Sequence, residues 1–170
     1  MVQARAVCIL KTVVVATGFF SAGVSYAAGE SPDAAENWTA KRIFDPFRNE
    51  TRCVAESRHQ VIDDGRQETT IYLRLDERGL MVLTESNVDL NHPDVGVRVD
   101  DGALIKPDKA YLDQNAVFES SAASIISQFK AGLKADVGLR YWPTWPSKGL
   151  RTATFSLIGF TRAFARLPGC

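Results

Sequence analysis

Among its 170 residues the chain has two histidines and three cysteines, and no tract in which they gather. A serine or cysteine nucleophile needs a base held against it and an acid that orients the base. His59 and His92 lie in separate segments, and no serine sits in a G-x-S-x-G turn. A zinc site would need cysteines and histidines at matching spacing, which these residues do not provide. The 12 glycines are scattered and form neither G-x-G-x-x-G nor a Walker loop, so the usual cradle for a nucleotide phosphate is missing. No cofactor is expected, and the chain reads as a non-enzyme. An excess of one charge is lacking as well, with 20 Lys and Arg against 20 Asp and Glu. That balance argues against nucleic acid or an anionic membrane surface as the main partner. A membrane-spanning helix needs about 20 apolar residues. The longest run, Val13 to Val24, is 12 residues and is broken by Gly18, Ser21 and Gly23.

What is present at the start fits export. Arg5 and Lys11 precede the apolar run, and Ser25-Tyr26-Ala27-Ala28 supplies the small residues that a signal peptidase accepts. We read residues 1–28 as a signal peptide, 29–37 as a small, acidic, flexible leader, and 38–170 as a single domain. Removing the signal leaves no stable membrane anchor and places the chain in the periplasm or outside the cell. Cys8 leaves with the signal. Cys53 and Cys170 remain, and in an oxidising compartment two cysteines most simply form one bridge.

Beyond Trp38 the dominant period is two, which is the mark of half-buried strands. Residues 51–62 read as one strand. In ETTIYLRLD, Ile71, Leu73 and Leu75 point one way and Thr70, Tyr72 and Arg74 the other. GLMVLTES and VGVRVD follow, with turns at 63–66, 76–79 and 100–102, so four strands fill the first half of the domain. SSAASIISQFKAGLK reads as a helix capped by Ser120 or Ser121, with Ile125, Ile126, Phe129 and Leu133 at helical spacing. Two further strands carry Leu133, Ala135, Val137, Leu139 and Tyr141, then Ala153, Phe155 and Leu157. Phe160, Ala163, Phe164 and Leu167 predict a short helix stopped by Pro168 and Gly169. This rhythm predicts a mainly β sandwich with one or two short helices.

Between the last two strands lies RYWPTWPSKG, where Pro143 and Pro146 cannot donate ladder hydrogen bonds. Arg140, Trp142, Trp145, Lys148 and Arg151 form the candidate binding surface, since indoles with a polar rim suit a protein or glycan partner. Its competitor is a lid, with one or both indoles folded over the sandwich end. NVDLNHPD spaces Asn87, Asp89 and Asn91 as oxygen ligands, but His92 and Arg98 occupy the places where a calcium loop needs Gly and Glu. A strand edge with a wet polar face explains the alternation, and no metal is expected.

Trp38-Thr39, the strand led by Cys53, the helix followed by FKAG at 129–132, and FSLIGFTRAFARL at 155–167 occur in an order that resembles the invasion-associated locus B family of secreted bacterial proteins. The resemblance covers residues 38–167 and implies a signal peptide and an immunoglobulin-like β-sandwich. It also implies a non-enzymatic envelope protein with a host-interaction role. The chain departs from the family's cysteine pattern, with Lys41 and Arg42 at the first such place and Asn115, Glu119 and Ser120 near the second. Two alternatives stand beside this reading: an inhibitor or accessory subunit of an envelope enzyme, and a small periplasmic hydrolase with a site assembled from scattered residues.

Overall fold

The computed structural model describes residues 37–45, 49–143 and 149–170. The expected signal segment and residues 29–36 of the leader lie outside the described residues. Antiparallel pairing dominates. One sheet has seven strands in the order β1 (Trp38–Asp45), β2 (Glu50–Ser57), β4 (Glu68–Asp76), β5 (Gly79–Thr84), β8 (Asn115–Phe118), β7 (Lys109–Tyr111), and β3 (Gln60–Asp63) also pairs with β4. The other has three, in the order β10 (Arg151–Ser156), β9 (Lys134–Leu139), β6 (Gly96–Val99). Helices α1 (Ala122–Ala131) and α2 (Phe160–Ala165) complete the described elements, with a 3-10 turn at Leu167–Gly169. Among the described residues no helix is long and apolar enough to cross a membrane.

The two sheets contribute to one core. Ile71, Leu73, Leu75, Leu80, Val82 and Phe118 come from the large sheet, and Val97, Val99, Val137, Leu139 and Phe155 from the small one. The period-two reading of β4, β6 and β10 therefore placed the correct faces inward. Helix α2 packs on β1 and β2, and α1 on β5 and α2. Trp38 is the hub of that side, with its ring edge-on to Phe129 at 6.0 Å and to Phe160 at 5.0 Å. Its Nε1 donates to the Ser156 carbonyl at 2.7 Å, so the buried indole leaves no polar atom unpaired. Cys53 and Cys170 are bonded across a sequence separation of 117, as the cysteine count predicts.

Several local expectations change. The single strand at 51–62 is two, because the chain bends at Arg58 and His59 and both halves then pair with β4. Strands β1, β7 and β8 are additions to the strands that the alternation predicts. Leu133 is 72% exposed, not inward with Ala135 and Val137. Gly132 sets this reset: a Cβ there would lie 2.4 Å from Val99, and the Asp100 carboxylate accepts the Leu133 and Lys134 amides just beyond it. Neither Ser120 nor Ser121 caps α1 through its hydroxyl. Asp108, beside β7, accepts the Glu119 and Ser120 amides at 2.6 and 2.9 Å and the Ser120 hydroxyl as well. Pro168 lies inside the closing 3-10 turn, where its missing N–H is harmless.

Candidate functional site

The connection between β9 and β10 lies where the sequence places it. Trp142 is 52% exposed, follows the outward phase of β9, and holds its backbone to the Asn87 carbonyl at 2.9 Å. Tyr141, one residue earlier, is buried in the core. Trp145 and Lys148 lie outside the described residues. Arg140 donates twice to Asp94, Nε to Oδ1 at 3.0 Å and Nη2 to Oδ2 at 2.6 Å. Those hydrogen bonds hold the Asp94 carboxyl below its ordinary range. Arg151 turns elsewhere, its Nη2 4.0 Å from Asp63 and its Nε buried with no hydrogen bond among the described residues. The described members of the candidate set are thus held to separate carboxylates, and Trp142 alone presents an open apolar face.

The expected wet polar face at 87–91 holds at Asn87 and Asn91, which are exposed, but not at Asp89. Asp89 is 3% exposed, accepts the Asn91 amide and side chain, and lies 3.3 Å from His92 Nε2. An acid whose charge is met by neighbouring donors can turn inward, where a strand alternation would send it to water. Among the described residues no cluster of His, Cys, Asp or Glu is placed to hold a metal ion.

A larger feature occupies the outer face of the seven-stranded sheet. A groove of about 280 Å³ is floored by Ile43 of β1, Val54 of β2, Met81 and Leu83 of β5, and Val117 of β8. Cross-strand register puts them together: Lys41 faces Val54, Arg74 faces Met81, and Met81 faces Val117. Ion pairs ring the floor. Arg52 pairs with Asp76, Arg78 with Glu50, and Lys109 Nζ lies 2.8 Å from Glu119.

At one side of this face the Glu56 side chain is almost fully buried among cations. Its Oε1 accepts Lys41 Nζ at 2.9 Å and lies 3.2 Å from His59 Nε2, while its Oε2 accepts Arg74 Nε at 2.7 Å. Burial pushes the Glu56 pKa up, but the hydrogen bonds from Arg74, Lys41 and His59 together outweigh it and leave the carboxyl below its ordinary value. His59 stacks on Tyr72 at 4.0 Å, and the Arg74 guanidinium lies 5.1 Å from the same ring. Such packing orders a charged surface at small entropic cost, because each side chain is already restrained by another.

Sequence reasoning did not single out this groove. The signal was Leu80-Met81-Val82-Leu83, four apolar residues in succession, because a strand apolar on both faces has both faces at least partly covered. Comparison with protein-family models, with curated proteins and with solved structures finds no match to this chain.

Proposed function

We propose that the chain is a non-enzymatic binding protein of the bacterial cell envelope, periplasmic or secreted, that engages a protein partner across the outer face of its large sheet. On this reading residues 1–28 direct export, and the two sheets form an immunoglobulin-like sandwich. The chain is then a divergent member of the invasion-associated locus B family. The observation that carries the reading is the anatomy of the groove: an apolar floor ringed by paired charges has the layout of a protein interface, with a centre that gains from desolvation and a rim that excludes water. The groove is open to one side and is lined from β1 across to β7, which suits side chains of a polypeptide better than a small enclosed ligand. The exported compartment is supported by the bond between Cys53 and Cys170.

The test places a photoreactive residue at Met81, on the floor, and in a second variant at Thr152, on the small sheet. Crosslinking in the native envelope should yield a discrete adduct of defined mass from Met81 and none from Thr152. Adducts of equal pattern from both positions, or none from Met81, would overturn the proposal. Trp142 serves as a third position, and an adduct confined to it would move the site to the β9–β10 connection.

A further inference from the structure

Strand β1 forms one edge of the seven-stranded sheet: β2 lies on one side of it, and no described strand lies on the other. An edge strand presents a row of backbone donors and acceptors that another strand can meet, and natural edges usually carry charges to prevent this. Here the charges are accompanied by Phe44, which is 60% exposed. The geometry points to a specific partner for this edge: a second copy of the same chain, paired antiparallel through β1 about a two-fold axis at Ile43.

The register decides the occupant. When an antiparallel strand pairs with itself about a two-fold axis, facing residues share a face of the sheet, so the axis must pass through a residue position. An axis at Lys41 sets Lys41 against its own copy. One at Arg42 does the same with Arg42. One at Phe44 sets Ile43 against Asp45 and leaves Lys41 and Arg42 beyond the ladder of described residues. With the axis at Ile43, each Lys41 faces Asp45 of the other copy, each Arg42 faces Phe44, and Ile43 meets Ile43. Both charges then meet complementary groups, a salt bridge and a cation–π contact, each made twice.

Neighbouring residues on β2 favour the same arrangement. Asp45 stands opposite Glu50, a like charge, with Arg52 Nε 3.9 Å away, and a lysine arriving from the free side sets a second cation beside it. Lys41 reaches Glu56, yet its side chain remains 49% exposed and open to a second carboxylate. Ile43, Phe44 and Asp45 also line the outer groove, so the pairing continues its floor from one copy into the other.

The experiment is charge reversal in the full chain, read by analytical ultracentrifugation over a concentration series. Lys41→Asp sets two acids together at each contact, and Asp45→Lys sets two cations together. Each variant alone should dissociate about tenfold or more readily than the parent. Mixed in equal amounts, they should reassociate as a heterodimer, because the two chains then meet with opposite charges at both contacts. Circular dichroism checks that each variant is folded. Where one is not, Ile43→Cys in the parent background should form a disulfide with its own copy under mild oxidation, while Ala40→Cys should not. A parent that stays monomeric at millimolar concentration would refute the pairing, as would variants that dimerise as the parent does. A folded pair that fails to reassociate on mixing refutes the register. None of these outcomes bears on the Met81 adduct, so the two proposals fail separately.

Discussion

The two faces of the seven-stranded sheet are made from the same strands and differ in what finishes them. On β4 the inward residues Ile71, Leu73 and Leu75 are at most 1% exposed, while Tyr72 and Arg74 between them are half-buried among charges. The inner face is closed by the small sheet, α1 and α2, and its energy comes from apolar area removed from water. The outer face is held by ion pairs around an apolar floor. One face therefore carries the stability of the fold, and the other is free to carry recognition.

The largest break in this contrast is at the bridge. Cys53 lies on the inner side of β2 and ties the segment after α2 across it. For a closed loop longer than 100 residues the chain-entropy model assigns about 4–5 kcal/mol. Adding reductant should lower the melting temperature, and thiol labelling of the denatured, unreduced protein should find no free thiol. Trp38→Ala should cost about 3–5 kcal/mol in urea denaturation, since it empties the hub between Phe129 and Phe160. Phe155→Ala or Leu73→Ala should cost about 2–5 kcal/mol, whereas Tyr72→Ala on the outer face should cost about 1 kcal/mol or less, and Arg74→Ala, which leaves the buried Glu56 carboxylate to Lys41 and His59, about 1–3 kcal/mol. Equal losses on both faces would erase the distinction.

The smallest effect sharpens the contrast by pH. Glu56 belongs to the outer face, yet is buried and held ionised, with its folded pKa below the ordinary 4.5. A carboxyl depressed by folding contributes stability that is fully present above its ordinary value and is lost as pH falls through the folded one. The urea midpoint of the parent should therefore drop as pH is lowered below about 4.5, and Glu56→Gln should make that acid limb shallower. It should not flatten it, because Asp94, Asp108 and Asp136 are depressed too.

What the sequence made legible was the inner face. Val95, Val97 and Val99, or Ala153, Phe155 and Leu157, repeat every second residue because one side must be dry. The helix at 122–131 was legible for the same reason, through Ile125 and Phe129. Strand β1 was not, since Lys41 and Arg42 reach Glu56 and the Cys170 carbonyl, partners 15 and 128 residues away. The groove was hidden likewise: Ile43, Val54, Met81 and Val117 are neighbours through pairing, not through spacing. Of the hairpin set, Trp142 stands on the outward phase opposite the buried Leu139 and Tyr141. The sequence had no means of showing that Arg140 is bound to Asp94, which lies in the connection ahead of β6.

The hold of Asp108 on the two amides just ahead of the α1 N-cap bears on the order in which the chain assembles. A helix of 10 residues is too short to persist alone in water, and the carboxylate that accepts the amides ahead of its first turn belongs to Asp108, which precedes β7 and β8 in the chain. Nucleation of α1 is thereby coupled to closure of the β7–β8 hairpin, and the two are expected to protect their amides from hydrogen exchange as one cooperative unit. Asp108→Ala should uncouple them, with the opening rate of the Glu119 and Ser120 amides rising while those of β4 keep theirs.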